Sequence, residues 1–234
     1  DDLMHFRHAL YKCYERSGNF KNAFINLKMA NEHQAKKRSL NNRRVYNIAQ
    51  DHELFESISA LEARFSITEF RPQEVQKPAP IFIVGLPRSG TSLIETIVSN
   101  HPDVQALGEL TYLGNAIDKA GLLTAKANAS MFDHVRQQYF SKARQHGLNR
   151  KYFIDKMPLN FRWIGVILRS IPEAKIIHMC REPQATCFSI YTHIFSGNFG
   201  FDKKRSDIAA YYRLYDELMK VWLTEYDSKI FHLN

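Results

Sequence analysis

The residues best suited to do chemistry lie in one short loop, residues 85–92, which combines two glycines, an arginine and several hydroxyl side chains. It follows the apolar run 81–84 and precedes apolar residues at helical spacing. Glycines let the backbone curl until successive N–H groups point inward, and a helix N-terminus adds partial positive charge. The sequence therefore predicts a strand, a loop that binds phosphate or sulfate, and a helix. The candidate anion ligands are Arg88, Ser89, Gly90, Thr91 and Ser92.

Nucleoside triphosphatases have a similar loop, but a lysine that they need is missing here. In those enzymes a lysine follows the second glycine and reaches the β- and γ-phosphates, while a Ser or Thr holds magnesium. Thr91 occupies the position of that lysine. A P-loop kinase or NTPase stays an alternative, and it would have to take its lysine from elsewhere in the chain and bind ATP with magnesium.

Further candidate residues follow apolar runs that are typical of buried strands. Arg181, Lys156 and Glu109 each come shortly after such a run, and Ser189 lies eight residues after Arg181 on the next predicted helix. Open α/β sheets bind ligands outside the carboxyl ends of their strands. A carboxylate at that edge can act as a general base, and an arginine fork suits a terminal phosphate.

The motif Pro-Arg-Ser-Gly-Thr-Ser at residues 87–92 resembles the 5′-phosphosulfate loop of sulfotransferases, in which Arg or Lys precedes Ser-Gly-Thr. The Asn-His-Pro-Asp-Val segment at 100–104 and the Gly-Glu pair at 108–109 are similar to the tyrosylprotein sulfotransferases. They are also similar to bacterial proteins in which repeats are fused to a sulfotransferase domain. The resemblance covers nearly all of residues 79–234.

This resemblance implies an enzyme that uses 3′-phosphoadenosine 5′-phosphosulfate (PAPS) as co-substrate and needs no metal. The loop would hold the 5′-phosphosulfate, and Arg181 and Ser189 would hold the 3′-phosphate. Glu109 matches the catalytic base of the tyrosylprotein enzymes. Lys156, together with Arg88, would stabilise the charge that builds on the bridging oxygen. The expected acceptor is a hydroxyl or a phenol, with protein tyrosine among the candidates.

Strand-like runs alternate with helical patterns beyond residue 80, which predicts an α/β fold with a P-loop-like parallel sheet covered by helices. Residues 3–37 predict a helical hairpin that resembles one tetratricopeptide repeat. A single repeat cannot bury its own apolar faces, so we expect further repeats upstream and a peptide or protein partner for them. The predicted domains are a helical segment at 1–70, a linker at 71–80, and a sulfotransferase domain at 81–234 that lacks its C-terminal part.

Composition restricts the partners and the compartment. The net charge of +8 is typical of a protein with an anionic partner and equally of a basic surface that binds nothing specific. Charge alone does not distinguish a nucleotide from nucleic acid; with the loop, we expect a nucleotide and no nucleic acid. No apolar stretch is long enough for a membrane span. The three cysteines are an odd number without metal-ligand spacing, so we expect neither a disulfide framework nor a zinc site, and we expect a reducing, cytoplasmic compartment. A repeat-based interaction scaffold with an inactive enzyme domain is the other alternative.

Overall fold

The chain is described by a computed structural model that covers residues 2–40, 46–65, 77–124, 126–195 and 199–234. The helices in this part of the chain are α1 (Asp2–Arg16), α2 (Phe20–Leu40), α3 (Ile48–Arg64), α4 (Thr91–Ser99), α5 (Tyr112–Ala120), α6 (Ser130–Ala143), α7 (Ile164–Ser170), α8 (Pro183–Thr192) and α9 (Arg205–Tyr226). The strands are β1 (Ala79–Gly85), β2 (Val104–Ala106), β3 (Tyr152–Asp155), β4 (Lys175–Met179) and β5 (Ile230–Leu233).

These strands form one parallel sheet in the order β2-β3-β1-β4-β5. β1 lies in the middle, where Ile81 is opposite Ile154 of β3 on one side and Lys175 of β4 on the other. The chain therefore continues from β1 toward one edge of the sheet and later crosses from β3 to the opposite side. This reversal creates a switch point between β1 and β4, and open α/β sheets bind ligands at the carboxyl ends of the strands at such a point.

The side chains of β1 enter two apolar layers, because successive strand residues point to opposite faces of a sheet. Ile81 and Ile83 belong to a core cluster on one face, against which Ile94 of α4 packs. Phe82 points to the other face and packs against Tyr139 of α6, with ring centroids 5.5 Å apart. All seven residues of β1 are buried, so packing on both faces of the sheet holds the strand in place up to the loop that follows it.

The chain divides into two compact units, and the first contains Asp1–Asp51 and Pro183–Arg213. Its described part has helices and no strand. α1 and α2 form a hairpin whose turn contains Gly18, with a left-handed φ of 76°. The Asn31 side chain of α2 donates a 2.9 Å hydrogen bond to the carbonyl oxygen of Tyr191 on α8. This bond joins parts of the unit that are far apart in sequence.

The second unit contains His52–Glu182 and Leu214–Asn234, and with them the whole sheet. A buried ion pair joins its helices: Arg169 of α7 contacts both carboxylate oxygens of Glu62 on α3 at 2.6 and 2.8 Å. Tyr226, at the end of α9, also donates a hydrogen bond to Glu62. Three helices are therefore held by one carboxylate.

The predicted fold class, a parallel α/β sheet with helices and an all-α segment before it, is confirmed. The predicted helical hairpin is confirmed as well, whereas its likeness to a tetratricopeptide repeat stays a prediction. The domain boundaries at 1–70, 71–80 and 81–234 also stay predictions, and residues 71–76 of the linker lie outside the described residues. Within the described ranges, no helix is both long enough and apolar enough to span a membrane.

Candidate active site

Residues 85–92, hereafter the anion loop, join β1 to α4 and have backbone features that suit an anion. Arg88 and Gly90 both have left-handed φ angles, 71° and 108°. Non-glycine residues seldom adopt this conformation, and such residues in a loop can turn backbone N–H groups toward a common point. The hydroxyl of buried Ser89 donates a 2.8 Å hydrogen bond to the carbonyl oxygen of Leu86, which fixes the turn. α4 begins at Thr91, so its positive end adjoins the loop.

Gly85 lets this loop leave the sheet in close contact with β4. It has a φ of 145°, and a Cβ built there would overlap the carbonyl oxygen of Met179, its partner in β4. Only glycine fits this position without movement of one of the two strands. The loop is therefore anchored at the switch point between β1 and β4.

A second arginine contacts the loop from the β4 side. Arg181 follows β4, and its Nη1 donates a 3.3 Å hydrogen bond to the carbonyl oxygen of Arg88. Both side chains are exposed at this edge, so two positive charges border the same loop. Ser189, the other predicted ligand of the 3′-phosphate, lies partly buried on α8, which belongs to the helical unit.

A lysine and a glutamate form a close ion pair on the β3 side of β1. Lys156 directly follows β3, and its Nζ lies 2.6 Å from Oε1 of Glu109. The Lys156 side chain is only 9% exposed, whereas that of Glu109 is 53% exposed. The backbone N–H of Lys156 also donates to the carbonyl oxygen of Gly108 at 2.9 Å. The carboxylate thus faces solvent while the ammonium group lies behind it.

Sequence reasoning missed a third charged residue in this cluster, Glu95 of α4. One carboxylate oxygen lies 3.9 Å from Nζ of Lys156, and the other accepts a 3.1 Å hydrogen bond from the backbone N–H of Gly108. Glu95 follows Thr91 by four positions and precedes Val98 by three, which places it on the stripe of α4 that faces the sheet. A charged residue on this stripe is the signal that could have identified it.

Asp155 is a second acidic residue that the sequence analysis did not select. It ends β3 and is fully buried, and this burial raises its pKa to about 8. The Tyr139 hydroxyl, which donates at 3.0 Å, the N–H of Leu110 and the charge of Lys156 oppose that rise. Burial therefore favours the neutral, protonated form of Asp155.

The structure thus brings most of the predicted site residues to the carboxyl edge of one sheet. Their roles stay predictions, and Ser189 is the member that belongs to the other unit. The residues at this edge are Arg88, Ser89, Gly90, Thr91, Ser92, Glu109, Lys156 and Arg181.

Several proteins are similar to this chain over part of their length. A putative protein-tyrosine sulfotransferase of Caenorhabditis briggsae is 32% identical over 117 residues, which are 47% of this chain and 42% of that protein. The protein-tyrosine sulfotransferase of Drosophila melanogaster is 28% identical over 122 residues, 47% of this chain and 24% of that protein. An uncharacterized protein of Aquifex aeolicus is 27% identical over 194 residues, 72% of this chain and 26% of that protein.

The chain therefore matches less than half of the length of each of these relatives. Among solved structures, the crystal structure of sulfotransferase STF9 from Mycobacterium avium aligns with a TM-score of 0.41 and 14% sequence identity. That alignment covers 82% of this chain and 69% of the other. The family model described as the sulfotransferase family matches residues 80–234, which include the anion loop and the Glu109–Lys156 pair. Because this match extends over more than half of the sequence, the chain belongs to the sulfotransferase family.

Proposed function

We propose that this chain is part of an enzyme that transfers the sulfuryl group of PAPS to a hydroxyl or phenol, with protein tyrosine as the favoured acceptor. One observation carries the proposal: an anion loop, a second arginine and a paired carboxylate and lysine meet at one edge of the sheet. Membership of the family supports sulfuryl transfer. The names of the relatives from Caenorhabditis briggsae and Drosophila melanogaster support tyrosine as the acceptor.

The loop geometry fits the anionic end of the donor. Gly85 lets the loop leave β1 beside the carbonyl oxygen of Met179, where a Cβ would overlap, and the left-handed φ angles of Arg88 and Gly90 curve the loop backbone. In the proposal the loop holds the 5′-phosphosulfate through backbone N–H groups and hydroxyls. Arg181 holds the 3′-phosphate by a charge-assisted fork, and Ser189 is the second proposed ligand of that phosphate.

The chemistry is assigned to the cluster beside β3. Glu109 takes the proton of the acceptor hydroxyl while the acceptor oxygen bonds to sulfur and the bond from sulfur to the 5′-phosphate oxygen breaks. The products are a sulfate ester and 3′-phosphoadenosine 5′-phosphate. Lys156 and Arg88 stabilise the negative charge that grows on the departing oxygen, and this charge is larger in the transition state than in the bound donor.

Donor binding is tested with the desulfated product as the ligand. At about one hundred times its dissociation constant, 3′-phosphoadenosine 5′-phosphate should stabilise the folded chain by about 2.7 kcal/mol and raise its melting temperature by about 5–10 °C. Arg181→Ala should lose most of this shift. Lys220→Ala removes one positive charge from an exposed pair with Asp216 and should retain it. A shift with ATP and magnesium, and none with the adenosine bisphosphate, would contradict the proposal.

Turnover is tested with PAPS and a tyrosine peptide. Glu109→Gln keeps the shape of the side chain and removes the base, so it should lower kcat by a factor of about 10² to 10⁴. The melting-temperature shift with the adenosine bisphosphate should stay close to that of the unaltered chain. If Glu109→Gln turned over as fast as the unaltered chain, Glu109 would not be the base.

A further inference from the structure

Glu95 contacts Lys156 and the backbone of Gly108, the residue directly before Glu109, and it lies on the helix that follows the anion loop. We infer that Glu95 is a positioning residue, which holds Lys156 and the backbone before Glu109 in the arrangement that the reaction needs. This inference rests on the proposed function, because it assigns a role within that reaction. It concerns a residue that touches Lys156 and Gly108 rather than the reacting atoms.

The first contact fixes the segment that carries Glu109. Oε1 of Glu95 accepts a 3.1 Å hydrogen bond from the N–H of Gly108, directly before Glu109. On the other side, the carbonyl oxygen of Gly108 accepts from the N–H of Lys156 at 2.9 Å. Gly108 has a left-handed φ of 72°. The peptide units before Glu109 are thus held by α4 from one direction and by the end of β3 from the other.

The second contact gives Lys156 a second carboxylate. Its Nζ lies 2.6 Å from Glu109 and 3.9 Å from Glu95, and its side chain is only 9% exposed. When Glu109 accepts a proton it becomes neutral, and the ammonium group loses the charge of its closer partner. A buried charge without a partner is costly. Glu95 keeps one carboxylate beside Lys156 throughout the reaction, so proton transfer to Glu109 does not leave the ammonium group uncompensated.

Glu95 is also well placed to align the two parts of the site. It lies on α4, five positions after Gly90, the loop residue directly before the helix. A helix rises about 1.5 Å per residue and is stiff over this length. The helix therefore fixes the position of Glu95 relative to the anion loop. Through its two contacts, Glu95 in turn positions Lys156 and the peptide before Glu109. The donor sulfur and the base are then aligned through one rigid element.

Two substitutions separate the charge of Glu95 from its hydrogen bond. Glu95→Gln removes the charge and keeps an oxygen that can accept from Gly108, whereas Glu95→Ala removes both. Asp216→Asn is the matched control, because Asp216 lies 2.6 Å from Lys220 in an exposed pair on α9. For each variant we would measure kcat and KM for PAPS, the melting temperature with and without 3′-phosphoadenosine 5′-phosphate, and hydrogen–deuterium exchange at the Gly108 amide.

The inference predicts a loss in kcat with little change in donor binding. Glu95→Ala should lower kcat on the order of a hundredfold, since small misplacements of catalytic groups have effects of this size, and KM should change by less than about threefold. Glu95→Gln should lose on the order of tenfold. Exchange at the Gly108 amide should become faster in Glu95→Ala and stay slow in Glu95→Gln, and Asp216→Asn should change none of these values.

Unchanged kcat in Glu95→Ala, or unchanged exchange at Gly108, would overturn the inference. The inference would also be wrong if kcat fell in both Glu95 variants only in proportion to a loss of folded protein. The exchange readout does not depend on turnover. An unaltered chain that neither binds the adenosine bisphosphate nor transfers the sulfuryl group would overturn the proposed function and, with it, the positioning role of Glu95 in that reaction. Exchange at the Gly108 amide would still report whether Glu95 holds the segment before Glu109.

Discussion

Replacing Asp155 by asparagine should remove a pH-dependent loss of stability from this protein. Asp155 is fully buried at the end of β3, where it accepts a 3.0 Å hydrogen bond from the Tyr139 hydroxyl. Burial penalises the charged form and raises its pKa from 3.8 to about 8. Asparagine has the same shape and an oxygen that can accept from Tyr139, but it cannot ionise.

The sign and size of the effect follow from proton binding. In the unfolded chain Asp155 loses its proton near its ordinary pKa of 3.8, whereas in the folded chain it keeps the proton up to about pH 8. Between these values the folded state binds more protons than the unfolded state. The free energy of unfolding therefore falls as the pH rises through this window, by at most about 1.4 kcal/mol per pH unit from this one group. Above about pH 8 the contribution becomes constant again.

Urea denaturation of the unaltered chain and of Asp155→Asn, at several pH values from 5 to 8, measures this difference. The stability of the variant relative to the unaltered chain should increase by up to about 4 kcal/mol over this range, at about 1.4 kcal/mol per unit. Asp216→Asn, at an exposed position, controls for the loss of a carboxylate and should show no such slope. Parallel stability curves for Asp155→Asn and the unaltered chain would refute the reasoning.

Two further substitutions test the packing that supports the site. Gly85→Ala should destabilise the chain by about 1–3 kcal/mol, because its Cβ would overlap the carbonyl oxygen of Met179; an unchanged urea midpoint would contradict this close approach. Glu62→Ala should cost about 3–5 kcal/mol, because it leaves the buried charge of Arg169 without its carboxylate; a loss below about 1 kcal/mol in the same assay would show that the pair is solvated like a surface pair.

The fold and most of the site edge could be predicted because they depend on local patterns. Apolar runs followed by polar residues indicate buried strands, and parallel strands end at a common edge, so the sequence alone assigns Lys156 and Arg181 to one edge. The direct contact between Lys156 and Glu109 could not be predicted, because it depends on the order of the strands. β2 and β3 are neighbours only because the chain returns to the same side of β1.

The contacts of Glu95 and the composition of the helical unit could not be predicted, for different reasons. The position of Glu95 on the sheet-facing stripe of α4 is visible in the sequence, but its hydrogen bond with Gly108 depends on how the segment before Glu109 packs beside the helix. The helical unit includes Pro183–Arg213, which the sequence analysis assigned to the second domain. This segment contacts the α1–α2 hairpin through the hydrogen bond from the Asn31 side chain to the carbonyl oxygen of Tyr191, 160 residues further along the chain. Periodicity describes a single element and carries no information about partners so distant in the chain.

The strand order separates two tasks of the proposed reaction. β1 carries the anion loop in the centre; β4, on one side of it, supplies Arg181, and β3 and β2, on the other side, supply Lys156 and Glu109. A ligand bound at the loop would therefore meet the proposed phosphate-binding Arg181 on one side and the proposed base on the other. Because the two groups lie on different strands and share only the loop, changes on the β4 side should act on donor affinity and changes on the β3 side on kcat. Glu95 belongs to the second group although its helix begins at the loop itself, since both of its contacts lead to the β2 and β3 ends.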